Sequence, residues 1–493
     1  MFAVVKSVAL VGIEPQPVRV EVHVGSGSPA FCLVGLPDTA VREAKERVRA
    51  ALSSTGYAFP SRRVTVNLAP ADLPKAGSAY DLPIALGVLA ASGAVPRGVS
   101  EVVALGELAL DGSVRPARGG LGAGLVARSL QVPCVLPLES AGEAVLVPEA
   151  SVRPIASLAE AVSAGCGEYQ PMPDYPMAEA PAPRQPDLAE VRGQLVARRA
   201  LEVAAAGGHH LLLSGPPGAG KTMLARCLPG ILPELDEVKA LEVARAWDAA
   251  GRPRGSPGEL RRPPFRSPHH TATAAAIVGG GSGLPAPGEL TLAHGGVLFL
   301  DELGEFPSYL LEALRQPVEE GRVTIARRGF SVCFPCGVQL VAATNPCPCG
   351  HAGDRAMPCR CSSSAVERYR RRLSGPLLDR FDLRVAVPRL APGELDDPPG
   401  EPSATVASRV AAARARQAAR GLLNRDLPRA ELDAMDWDPQ AVSLLQRAVD
   451  RLGLSGRGWE RVRRVARTVA DLAGTETISA DQVAEALTYR GSG

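Results

Sequence analysis

The stretch HLLLSGPPGAGKTMLA, residues 210–225, decides how this chain is read. A short apolar run, Leu211–Leu213, gives way to a glycine-rich loop, and the loop to a helical pattern. The loop is Gly215, Pro216, Pro217, Gly218, Ala219 and Gly220, followed by Lys221 and Thr222. That is the G-x4-G-K-[ST] spacing in the strand–loop–helix context it requires. Glycine lets backbone N–H groups curl around a phosphate, and the start of the following helix adds partial positive charge. Lys221 then reaches the β- and γ-phosphates, and the Thr222 hydroxyl binds Mg²⁺. The pattern predicts an α/β fold with an ATP·Mg²⁺ site.

Such a loop needs acidic and polar partners, and the chain supplies them downstream. GGVLFLDE (295–302) is an apolar strand that ends in two carboxylates. Asp301 is placed to hold Mg²⁺ through water, and Glu302 to polarise the attacking water as general base. A further strand, Val338–Thr344, ends in Asn345, a group able to orient that water. The plain alternative for Asn345 is a turn residue before Pro346.

A length of 493 residues suggests two to four domains. Residues 1–165 read as strands with helices between. The stretch 166–187 is Pro-rich with few large aliphatics and reads as a linker. Residues 188–390 carry the α/β pattern. After the Pro/Asp-rich break at 391–402, the remainder of 391–493 reads as helical, with N-cap signals such as Ser479. Hydrophobic residues make up 46% and charged residues 22%, which excludes a disordered chain. Net charge is +2, so a nucleic-acid surface has to be a local patch. No apolar run approaches the ~20 residues of a spanning helix. The N-terminus lacks a basic region and a clear cleavage site, so the chain reads as cytoplasmic with no membrane partner. The ten cysteines do not follow a secreted disulfide pattern, and six of them (333, 336, 347, 349, 359 and 361) crowd into one stretch.

The spacing Cys347-x-Cys349-x9-Cys359-x-Cys361, with Gly350, Gly353 and Pro358 between, fits a tetrahedral structural Zn²⁺. The C-x-C pairs are tighter than usual, and Cys333 and Cys336 are near enough in sequence to substitute. The other reading is a loop of reduced thiols. A second local pattern, RVTIARRGFSVCF (322–334), alternates as two short strands with Arg327-Arg328-Gly329 at the tip. Basic tips suit a phosphate backbone, and solvated turn charges are the alternative.

Taken together, the blocks resemble the YifB/ComM family of magnesium-chelatase-like AAA+ ATPases. The resemblance is carried by 193–225, FRSPHHTATAAAIVGGG (265–281), 287–306, LRQPVEEG (314–321), SGPLLDRFDL (374–383) and SGRGWERVRRVARTVADLAG (455–474), in order along nearly the whole chain. It implies a P-loop AAA+ module with a helical C-terminal lid, assembled as a ring, usually a hexamer, with the site at subunit interfaces. Under it, Arg380 is the arginine finger and Arg457 the second sensor arginine, although Arg461, Arg463, Arg464 and Arg467 crowd nearby. The N-terminal domain resembles the α+β Lon-protease-like fold, with Ser78 at the position of the catalytic Ser. Where that family has a Lys after Gly119-Gly120-Leu121, this chain has Gly122, so no base activates the hydroxyl. His269-His270 read as loop packing or a subunit contact. The expected function is a DNA motor, a helicase that promotes branch migration during natural transformation on single-stranded or branched DNA. The alternative is a chelatase-type or chaperone-like ATPase that remodels a protein.

Overall fold

The computed structural model describes residues 1–169 except 37, 76 and 146, and residues 185–490 except 253, 255, 256, 282–284, 328, 329, 355, 356, 373 and 374. Residues 170–184 of the expected linker, and Arg328 with the Arg327 side chain at the expected DNA tip, lie outside the described residues.

The N-terminal part is built on a mixed seven-stranded sheet. Strands Phe2–Val11 and Glu14–Gly25 form its long antiparallel centre. The helix Asp81–Ser92 is apolar on every side, so it can only be buried. It ends at Gly93, which takes the left-handed conformation a side chain resists.

The second sheet has five parallel strands in the order Phe265–Arg266, Val297–Leu300, Gln339–Thr344, Leu211–Ser214, Leu383–Ala386. Alternation splits its side chains between two cores. Leu211, Leu213, Phe299, Val341 and Val385 face the helix Leu195–Gly207 and the C-terminal helices. Leu212, Leu298, Leu300, Leu340 and Ala342 face the helix Ser308–Glu320. The register aligns Ser214 with Thr344 and Leu300 with Ala342, so the Gly-rich loop, Asp301 and Asn345 all emerge at one sheet edge.

Beyond the sheet, residues 403–488 are mostly helical, with the long helix Gly456–Ala473 capped by the Ser455 hydroxyl. Ser479 and Gln482 form a reciprocal capping box on the last helix. The strands Arg322–Arg327 and Phe330–Pro335 pair as an antiparallel hairpin. Val323 opposes Phe334 and Ile325 opposes Val332 on its core-facing side. That face also packs on Ile13, at the turn between the first two strands, where Gly12 lies so close that an added Cβ would be 2.7 Å from Val332.

The two halves are joined by a buried carboxylate. Asp248, near the end of the helix Glu237–Ala249, accepts the N–H groups of Gly119 (2.8 Å) and Gly122 (3.3 Å) at the start of the helix Gly120–Leu130. An acid at a helix N-terminus is favourable because the unpaired N–H groups there carry partial positive charge. Glu143 is buried beside it and accepts the N–H of Arg254. Burial raises both acids above the ordinary carboxyl range. Their mutual repulsion raises Glu143 further, and the backbone donors oppose the shift at Asp248.

Candidate active site

The Gly-rich loop opens from Leu211–Ser214 with Gly218 and Gly220 at positive φ, and nothing lies within 4 Å of a Cβ added at either. That leaves an open backbone cradle. Lys221 begins the next helix and is 8% exposed. Its ammonium donates to the carbonyls of Gly215 (2.7 Å) and Pro216 (2.8 Å) and to Oδ1 of Asn345 (3.2 Å). Burial lowers its pKa, and the nearby Asp301 and Glu302 charges oppose that shift. The Thr222 hydroxyl donates to Oδ2 of Asp301 at 2.7 Å. The structure therefore brings Lys221, Thr222, Asp301, Glu302 and Asn345 around one cleft of about 460 Å³, with Pro217, Gly218, Ala219 and Gly220 in its wall.

These residues fit Mg·ATP. The hydroxyl and carboxylate are hard oxygen donors that suit Mg²⁺, and the cradle and the lysine suit its phosphates. Glu302 sits at φ +52, a left-handed backbone costly for a non-glycine residue and typical of working sites. His270, placed in the sequence as loop packing or a subunit contact, stands with Nδ1 3.3 Å from Oε2 of Glu302. No motif signals that contact. It follows from the pairing of Phe265 with Val297, which carries residues 269–270 to the same sheet edge as Glu302.

Arg380 and Arg457 lie elsewhere. Both line a second cavity of about 500 Å³ with Asp382, Arg461 and Arg464, and neither lines the cleft of Lys221. Arg380 pairs with Glu319. Asp382 is held in place by the N–H of His210 (3.0 Å) and by Arg461 (3.5 Å) on the C-terminal helices. Asp382 is buried, which by itself would raise its pKa, yet its contacts with His209 and His210 hold it well below the usual carboxylate range. His210 is driven down to about 3, first by burial and then by Arg425, so it is neutral.

In the N-terminal part Ser78 pairs with Glu107, and no lysine stands at position 122. A Cβ there would come within 3.0 Å of Leu10 and 3.2 Å of Pro15. The sulfurs of Cys347, Cys349, Cys359 and Cys361 all lie within 4.8 Å of one another. Cys333 and Cys336 are not among them, and Cys336 donates instead to the carbonyl of Pro317. Among the described residues no helix is long and apolar enough to cross a membrane.

Comparison with known proteins agrees with this architecture. Residues 187–395 match the family model for magnesium chelatase, subunit ChlI. Residues 20–140 and 400–490 match models for subunit ChlI of Mg-chelatase and for its C-terminal part. The chain is 42% identical to Competence protein ComM of Haemophilus influenzae over 498 residues, covering 99% of this chain and 97% of the relative. It is also 42% identical to protein YifB of Escherichia coli over 497 residues, with the same coverage. A shorter match, 31% identical over 174 residues, covers 32% of this chain and 29% of Lon protease 2 of Bacillus subtilis. With three matched segments in order and relatives aligned over almost all of its residues, the chain belongs to the YifB/ComM family of magnesium-chelatase-like proteins.

Proposed function

We propose that this chain is an ATP-hydrolysing AAA+ motor that assembles as a hexameric ring in the cytoplasm and drives branch migration of DNA during uptake and recombination. The observation that carries the ATPase reading is the joint placement of Lys221, Thr222, Asp301 and Asn345 at one sheet edge. Thr222 and Asp301 would hold Mg²⁺, which would supply charge withdrawal from the phosphates. Lys221 binds the terminal phosphates, and Asn345 orients the attacking water. Glu302 takes that water's proton at its carboxylate once His270 yields the position. Arg380 and Arg457, grouped away from their own cleft, reach the cleft of a neighbouring copy and offset charge there. The helices of 403–488 serve as the lid that carries Arg457. Cys347, Cys349, Cys359 and Cys361 would hold a structural zinc.

The DNA reading is supported by the basic hairpin tip and by the competence role in the name of the Haemophilus relative. A second reading, a chelatase-like or chaperone-like ATPase acting on a protein, is favoured by the chelatase family match. ATP turnover measured with no DNA, with single strands and with four-way junctions separates them. Stimulation by DNA is expected. Turnover indifferent to DNA, with no DNA binding at low salt, would overturn the motor reading in favour of the second.

A further inference from the structure

The thiol cluster stands close to the chemistry. Cys347 is two residues beyond Asn345, and the loop it opens folds back so that Cys359 and Cys361 meet it. The closest sulfur pairs are 3.4, 3.6 and 3.6 Å apart. A disulfide bond is about 2.05 Å, so these are separate thiols. Four sulfurs at about 2.3 Å from one Zn²⁺ stand about 3.8 Å from each other, close to the spacing seen. Backbone N–H groups are already turned onto the sulfurs. Ala352 donates to Cys347 at 3.3 Å, and His351 and Arg360 donate to Cys349. An all-sulfur tetrahedron is the ligand set of a soft or borderline ion and leaves no open position for water.

The same loop touches the phosphate cradle. Gly350, at φ +81, lies so near Pro217 that an added Cβ would be 2.4 Å from its Cδ, and it would be 3.8 Å from the side-chain carbon of Asn345. Its N–H donates to the carbonyl of Cys347 at 2.9 Å. One glycine thus links the first thiol, the Gly-rich loop and the residue that faces Lys221.

We propose that the four thiolates bind one zinc ion, and that the resulting knot is a positioning element of the nucleotide cleft. Zinc holds the 347–361 loop closed. The closed loop presses Gly350 on Pro217 and fixes Asn345 against Lys221. Loss of the ion frees both contacts at once, although none of the four cysteines lines the cleft. This inference rests on the cleft binding ATP, as the proposed function requires.

The test uses the full chain purified without chelator. Elemental analysis should find one zinc per chain. Its removal by a thiol reagent and chelator should weaken the binding of a non-hydrolysable ATP analogue with Mg²⁺ about tenfold, the order of effect expected when supporting groups shift. Zinc added back should restore it. Gly350→Ala, whose Cβ would meet Pro217, should keep the zinc and lose affinity, which locates the contact between loop and cradle, while the loss on zinc removal reads the positioning role of the metal. A metal-free chain with four freely titratable thiols, or one loaded with iron instead, would overturn the zinc. An affinity unchanged by zinc removal would overturn the positioning role, whatever Gly350→Ala does. Wild-type protein that holds zinc but binds no ATP analogue would instead sink the ATPase reading.

Discussion

In the proposed hydrolysis Glu302 is the residue on which the reaction turns. Its left-handed backbone sets its carboxylate beside His270, while Asp301 next to it is engaged by Thr222. The two carboxylates therefore separate by role. Glu302→Gln removes the proton acceptor and leaves the phosphate-binding groups in place. It should bind ATP with near-normal affinity and lose about 10²–10⁴-fold in turnover, the range expected for a missing general base. Lys221→Ala removes the charge that meets the phosphates and should lose binding itself. Equilibrium binding and single-turnover kinetics on the two variants check this, and normal turnover in Glu302→Gln would remove Glu302 as the base. Lys221, Asp301 and Glu302 were legible in the sequence because each sits in a short string whose chemistry needs its neighbours. His270 was not, because its partner is thirty-two positions away and only the pairing of two parallel strands brings them together.

At the scale of the element, the hairpin Arg322–Pro335 was legible as strand, turn and strand from its period-two alternation. What covers its buried face was not legible, since Ile13 and Gly12 come from the far end of the chain. Arg327→Ala with Arg328→Ala should weaken binding to all DNA sequences alike. On duplex the log–log salt slope should fall by about 0.9 for each phosphate that the arginines no longer neutralise. ATP turnover without DNA should persist. Titrations at several salt concentrations measure this, and an unchanged slope would move the DNA-binding site to another surface. The thiol pairs were likewise readable as pairs. Their choice over Cys333 and Cys336 was decided by the hairpin, which commits Cys336 to the helix Ser308–Glu320.

For the whole molecule, two features bear on assembly and pH. Arg380→Ala subunits should bind ATP and hydrolyse it poorly. Mixed with Lys221→Ala subunits they should recover activity, because an intact phosphate loop then meets an intact Arg380 across an interface. No recovery in verified mixed rings would place Arg380 in its own subunit. The junction of the two halves responds to protons. Asp248 and Glu143 both have native pKa values raised by burial, so the folded chain keeps protons that the unfolded chain releases. Stability from this pair is therefore greatest below the ordinary carboxyl value of about 4 and is lost as pH rises through the raised native values, by at most about 1.4 kcal/mol per pH unit per proton. Glu143→Gln, neutral at every pH, should flatten the decline of thermal stability with rising pH. Melting curves at several pH values test this, and an unaltered slope would exclude Glu143 as the source. Nothing in the sequence near Asp248 marks it, because its donors lie more than a hundred residues earlier.

The seat of the hairpin on Gly12 and Ile13 has a mechanical consequence. A two-stranded ribbon alone is marginally stable in water, and one that pushes or pulls with its tip would behave as a cantilever that bends at the root. Here the ribbon is braced along its buried face by the core around the helix Ser308–Glu320 and, at Val332 to Phe334, by the turn that joins a ten-residue and a twelve-residue strand of the first sheet. Under the proposed motor function, load on the tip would pass through Val332 and Phe334 to the turn at Gly12 and Ile13, and so into the first sheet.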